Sequence, residues 1–152
     1  MRDGNMTRET MAGRLVTAFG DVPAMRALYA PDIEWSLSAS LMLPRPMKGI
    51  DDVVAFNTWV WTDQHRPDCT VTILDECGDD RSSSVRFLYS AHSLVTQSRY
   101  ENEYTLFARA DERGITHVFE ALDTALLLDF LTGRRLGQSF EEFFAARAQD
   151  TP

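Results

Sequence analysis

A helical pattern of apolar positions begins at Thr7, where Ala12, Leu15, Val16 and Phe19 recur at the three- and four-residue spacing of one buried face. Gly20-Asp21 interrupts it, Asp21 is placed to cap a second short helix bearing Val22, Met25, Leu28 and Tyr29, and Pro31 ends that helix. A short strand is predicted over 32–37, with Ile33, Trp35 and Leu37 on one side. Gly49-Ile50-Asp51-Asp52 opens a third helix running to about Asp63, its acidic residues near the positive N-terminal end. Its apolar face holds Val53, Val54, Val60 and Trp61, with Asn57 in the middle. From there the period changes from 3.6 to 2. Residues 68–77 and 83–95 read as two long strands joined at Gly78-Asp79-Asp80-Arg81. In the second, Val85, Phe87, Tyr89 and Ala91 alternate with Arg86, Leu88, Ser90 and His92.

The stretch from Ser98 to Leu131 reads as two more strands and a closing helix. Tyr100, Asn102, Tyr104, Leu106 and Ala108 share one side of the first strand, and Glu101, Glu103, Thr105 and Phe107 the other. Asp111-Glu112-Arg113-Gly114 turns the chain, Gly114 supplying positive φ. The strand over 115–122 then carries Val118, Glu120 and Leu122 on one face and His117, Phe119 and Ala121 on the other. Asp123 stands where a helix N-cap belongs, which is a sufficient structural role for it. Residues 38–48 are rich in proline yet apolar, through Leu41, Met42, Leu43 and Met47. They form either a loop packed over the core or a lid on a pocket. After a turn at 132–138, Ser139-Phe140-Glu141-Glu142 resembles a capping box and starts a short aromatic helix with Phe143 and Phe144.

Three helices and a meandering sheet predict an α+β domain, helices packed on one concave sheet face. No repeat or linker divides the 152 residues, so 1–152 reads as one domain with its core over about 7–131. A net charge of −8 argues against nucleic acid and anionic membrane surfaces as partners. No apolar run approaches the roughly 18–20 residues of a membrane span, and a cytoplasmic location is the expectation. Cys69 and Cys77, eight residues apart on one extended segment, would lie about 26 Å apart, so free thiols are expected. His65, His92 and His117 share no metal-ligand spacing, and neither a metal nor a cofactor is called for.

The segment NEYTLFARADERGITHVFEALDTALL resembles the C-terminal half of SnoaL-like domains, within the nuclear transport factor 2-like superfamily. The shared pattern is a strand ending near E-Y, a D-x-G-x-I turn, a strand ending E-x-x-D, and a closing helix. MRALYAPDIEWSL and MKGIDDVVAF extend the similarity more weakly, so it spans most of 7–131. The resemblance implies a cone-shaped α+β barrel, a curved, mostly antiparallel sheet packed against three N-terminal helices around a central cavity, and a homodimer through the outer sheet face.

It also places Val118, Glu120 and Leu122 inside that cavity, together with Glu101, Glu103, Thr105 and Phe107 from the preceding strand. Glu103 and Glu120 would then approach each other in an apolar pocket. One would stay protonated as acid while the other serves as base. The competing reading pairs Glu120 with Arg86, Arg99 or Arg109 in a structural salt bridge, and a register slip of one residue would turn Glu103 to solvent. His92 is a further acid/base candidate, or simply a hydrogen-bonded strand histidine. Asn57 either orients substrate or is tied to buried backbone; Trp35, Trp61, Arg86, Leu88, Phe107, Val118 and Leu122 complete the expected binding wall.

Ketosteroid isomerases of the superfamily use an aspartate base at the end of the first strand, where this chain has the apolar Leu37. Limonene-type epoxide hydrolases need an Arg and Asp on one strand and an Asp on the last. Arg86 and Glu120 could fill two of those places, but Leu88 occupies the third. The Tyr and Asn that such enzymes use to position water are matched only by Trp35 and Leu37. The expected function is therefore a cofactor-independent isomerase, cyclase or dehydratase acting on a small, largely apolar polyketide- or terpenoid-like metabolite, with epoxide hydrolysis subordinate. The alternative is a non-catalytic binding or dimerisation module. An open cavity with Glu120 unpaired favours the enzyme, and a filled cone with Glu120 tied to an arginine favours the module.

Overall fold

The computed structural model describes residues 10–38 and 46–132. Most of the loop at 38–48 and the C-terminal aromatic segment lie outside the described residues. Two short helices lead, α1 (Met11–Thr17) and α2 (Val22–Arg26), followed by β1 (Tyr29–Leu37), β2 (Met47–Lys48) and α3 (Ile50–Trp59). A π-helical turn (Val60–Gln64) continues α3. Then come β3 (Thr70–Gly78), β4 (Ser82–His92), β5 (Arg99–Asp111), β6 (Gly114–Leu122) and α4 (Thr124–Thr132).

The helix starts follow from side-chain caps. Thr10 accepts a hydrogen bond from the Gly13 amide at 3.0 Å, and Asp21 from the Ala24 amide at 3.0 Å, each satisfying a donor that has no partner within its helix. α1 buries Ala12, Leu15 and Val16. α3 buries Val53 and Asn57, and Trp61 extends that face into the π-helical turn.

The six strands form one sheet in the order β2-β1-β6-β5-β4-β3. Its pairs are antiparallel except for β1 with β6, which run parallel. The fold is thus the expected α+β arrangement, with a mixed sheet that stays open rather than closing into a complete barrel. Two elements differ from the periodic reading. β1 starts at Tyr29, so Pro31 sits inside a strand rather than ending a helix. The β1–β6 register shifts between Tyr29 and Glu34, which accommodates the missing proline N–H. The third helix leaves α geometry after Trp59. Cys69 and Cys77 are free, and no helix among the described residues is long and apolar enough to cross a membrane.

Register decides which face of the sheet is inside. Residues directly opposite on antiparallel neighbours share a face. Val85 pairs with Leu106 and Leu106 with Glu120, so these three point to the same, helix-covered side. Phe87, Tyr89, Tyr100, Asn102 and Ala108 join them there, all buried. The residues between them face out. This corrects the expectation for five candidates: Glu103, Phe107, Arg86, Leu88 and His92 belong to the outer parity.

Candidate functional site

Between the inner face of the sheet and the helices lies a cavity of about 130 Å³. Phe19, Trp35, Leu37, Trp61, Leu122, Leu127 and Phe130 supply much of its apolar wall. Glu120 lies in this wall near the end of β6, between Leu37 on β1 and Leu106 on β5. It is only 7% exposed, and among the described residues no cation pairs with it. Burial pushes its carboxyl up to about 7, and the indole N–H of Trp35 holds it down by a smaller amount. Trp35 Nε1 is itself buried and makes no direct hydrogen bond among the described residues.

Tyr29, Tyr89, Tyr100 and Tyr104 all lie within the electrostatic reach of Glu120. Burial raises each phenol above its ordinary value, and the Glu120 charge adds to that. All four therefore remain protonated through neutral pH. Tyr29 donates to Asn57 Oδ1 at 2.7 Å, so the buried amide on α3 has a structural partner while also lining the cavity. Its partner is thus a side-chain hydroxyl rather than the backbone expected from the sequence.

The π-helical turn delivers a second polar cluster. It ends at His65, whose amide bonds to Val60 O at 2.8 Å, and His65 bridges to Ser93 just past β4. His65 Nδ1 lies 2.8 Å from the Tyr89 hydroxyl, which also accepts from Trp61 Nε1 at 3.1 Å. Burial holds the imidazole down to about 4, so it is neutral under physiological conditions. A third set runs along β5: Asn102 Nδ2 donates to the Tyr100 hydroxyl at 2.8 Å, which lies 2.9 Å from that of Tyr104.

The cavity thus brings together Glu120, Asn57, Trp35, Trp61 and Leu122 among the residues expected from the sequence. Val118 is buried in the adjoining core and does not line it. Glu103 sits outside, 3.4 Å from Arg86 in an exposed ion pair. Leu88 and Phe107 are on the same outer surface, 37% and 50% exposed. His92 lies on the outer parity opposite Arg99. Neither the Glu103–Glu120 pair nor a His92–Glu120 pair is assembled, and Arg86 cannot serve an epoxide in the cavity. Asp123 caps α4, accepting from the Leu126 amide at 3.0 Å. His65 and Tyr89 also line the cavity; the alternation of β4 turns Tyr89 inward, whereas no local sequence signal brings His65 to the pocket. Among the described residues, no three His, Cys, Asp or Glu side chains are gathered as a metal site.

The family model described as a SnoaL-like domain matches residues 13–118. A search among curated protein sequences finds no significant match. Solved structures agree on the fold. A Catenulispora acidiphila DSM 44928 protein with a ketosteroid isomerase-like fold, in complex with trimethylamine, has a TM-score of 0.65 at 14% identity, over 78% of this chain and 88% of its own. AclR from Streptomyces galilaeus, provisionally a hydroxylase, has a TM-score of 0.69 at 13% identity, over 91% and 89%. A protein from Jannaschia sp. CCS1, provisionally a SnoaL-like polyketide cyclase, has a TM-score of 0.66 at 9% identity, over 82% and 93%. At such identities the likeness is one of fold, and the reaction has to be argued from the site. With its family match running from α1 into β6, the chain belongs to the SnoaL-like domain family.

Proposed function

We propose that this protein is a cofactor-independent enzyme that moves protons on a small, largely apolar metabolite of polyketide or terpenoid type. Isomerisation, cyclisation and dehydration are the reactions within its reach. The observation that carries this reading is Glu120, buried without a cationic partner in the wall of a mostly apolar cavity. A carboxyl held near 7 exchanges its proton readily at neutral pH, in either direction. A binding module has no use for such a group and would gain stability by replacing it with an apolar residue. The cyclase name attached to the Jannaschia protein supports the substrate class. The reading includes a homodimer through the outer sheet face, where Phe107 and Phe119 stand opposite each other with ring centres 6.2 Å apart, half exposed.

The test is proton exchange, which needs no knowledge of the net reaction. A panel of small ketones, enones and cyclic diketones is incubated with the protein in deuterium oxide and followed by proton NMR. The expected result is catalysed label incorporation that rises with pH and levels off above about 7. Glu120→Gln should abolish it. No exchange above the buffer rate, or equal exchange by the variant, would remove the enzymatic reading.

A further inference from the structure

Asn57, Trp61 and His65 follow one another at four-residue intervals, and all three line the cavity. A continuous α-helix would carry each about 40° further round its axis than the one before. The π-helical turn takes up that drift. Its wider winding, closed by the His65 amide on Val60 O at 2.8 Å, returns His65 to the face of Asn57 and Trp61. What the departure from α geometry delivers is an imidazole in the cavity wall. Tyr89 and Tyr100 pack against that ring, with ring centres 5.5 Å and 5.2 Å away, and hold it there.

Which nitrogen of His65 carries the proton follows from its partners. Trp61 Nε1 can only donate, and it donates to the Tyr89 oxygen at 3.1 Å. The Tyr89 proton then has two acceptors in reach, His65 Nδ1 at 2.8 Å and the Cys69 sulfur, and an imidazole nitrogen accepts far better than a thiol. Cys69 spends its own proton on the Phe19 carbonyl, 3.4 Å away. Were Nδ1–H to donate instead, the Tyr89 proton would be left with that sulfur alone, at appreciable cost. The hydrogen bonds accordingly run from Trp61 through Tyr89 to Nδ1, and the neutral imidazole carries its proton on Nε2. Nε2–H has no partner among the described residues, and it is the one hydrogen-bonding group this side chain has left to offer the cavity.

We propose that His65 is a specificity-determining residue, whose Nε2–H bonds an acceptor oxygen, a ketone or an ether, on the part of the substrate remote from Glu120. The proposal rests on the reading of the cavity as a substrate pocket given above. It narrows the substrate class to molecules that carry a second oxygen function beyond the carbon whose proton Glu120 moves. The remoteness follows from register. His65 packs on Tyr100, whereas Glu120 lies opposite Leu106, three inward-facing positions further along β5. A hydrocarbon at the His65 end would bury the N–H unpaired, and a site built to bond an oxygen rejects the analogue that lacks it. His65 is neutral and donates without giving up its proton, so it sorts substrates and takes no part in the proton transfer itself.

The probes are anisylacetone, a methyl ketone joined through two methylenes to a para-methoxyphenyl ring, and its analogue with ethyl in place of methoxy. They have nearly the same shape and differ in an ether oxygen against a methylene. Their affinities for the full chain are measured by calorimetry. Anisylacetone should bind about tenfold more tightly than the ethyl analogue, and the preference should disappear in His65→Phe, which keeps an aromatic ring against Tyr100. Equal affinities in the unsubstituted protein overturn the proposal, as does a preference that survives in His65→Phe or failure of both probes to bind at millimolar concentration. A second measurement needs no substitution. Nitrogen NMR of the histidine-labelled chain, with His65 assigned by its contacts to the Tyr89 and Tyr100 rings, should find the Nε2–H tautomer and a signal that anisylacetone moves and the ethyl analogue does not. The Nδ1–H tautomer, or the same response to both probes, overturns the assignment. Equilibrium binding needs no proton transfer, so the preference can hold where catalysed exchange fails, and exchange can occur without it.

Discussion

Replacing Glu120 by Gln should change not only the chemistry but the way stability depends on pH. In the unfolded chain the carboxyl titrates near 4.5, and in the folded protein burial raises it to about 7. Between those values the folded state holds a proton that the unfolded state has released, so wild-type stability falls as pH rises through this window. The contribution is fully present below about 4.5 and lost above about 7. A rise of that size corresponds to about 3 kcal/mol, and the side chain is too buried for solvent to screen much of it. Glutamine has nearly the same shape and no such titration. Urea denaturation of both proteins from about pH 4 to pH 9 tests this directly. The stability of the variant minus that of wild type should climb by about 3 kcal/mol across the window and then stay flat. His65 titrates in an overlapping range with the opposite sign, its neutral folded form being lost as pH falls towards about 4, but it is present in both proteins and cancels in the difference. Parallel profiles would refute the claim that Glu120 is desolvated, and with it the physical basis of the proposed chemistry.

Leu106→Ala, at a fully buried site directly opposite Glu120, should cost about 2–5 kcal/mol in denaturant unfolding. Asp123→Ala removes the cap of α4 and should cost about 1 kcal/mol. Because α4 brings Leu127 and Phe130 to the cavity, catalysed proton exchange should slow as well. Arg86→Ala breaks an exposed pair on the outer face and should cost less than about 1 kcal/mol, with proton-exchange rates unchanged. Phe107→Glu places a charge in the apolar outer patch and should shift the proposed homodimer to a folded monomer in sedimentation, the wild type sedimenting as a dimer.

Much of the fold is written in local periodicity. The alternation of Val118, Glu120 and Leu122 against His117 and Phe119 turns Glu120 inward without reference to anything distant. On β4 and β5 the two residue sets are equally legible, but the family resemblance puts the set with Glu103 and Phe107 inside, and the register puts it outside. The apolar content argued otherwise: Tyr100, Leu106 and Ala108 on β5, like Val85 and Phe87 on β4, cannot be left in water while Arg86 and Glu103 are buried. His65 is the opposite case. Its place in the cavity depends on a π-helical turn, which has no hydrophobic period of its own, and on a bridge to Ser93 that connects distant parts of the chain. The Asn102–Tyr100 contact cannot be read from sequence either, since the Asp123 carbonyl that also engages the Asn102 amide lies just past the end of another strand.

The parallel pairing of β1 with β6 imposes an order on how the site comes into being during synthesis. β1 is made early, but the neighbour on one of its two flanks is the last of the six described strands to leave the ribosome: Tyr29 pairs with Ile115, and Leu37 with Glu120. Until then that flank of β1 is an exposed edge, carrying unpaired backbone groups and the broad apolar side chains of Ile33 and Trp35. A nascent chain in this condition is a target for chaperones and for pairing with its own copies. The same arrangement means that the cavity is incomplete in a chain that ends before β6, which supplies Glu120 and Leu122 to its wall. Glu120 enters its dry environment only in the final docking step, so a translation product that stops before β6 has neither the complete pocket nor the acid.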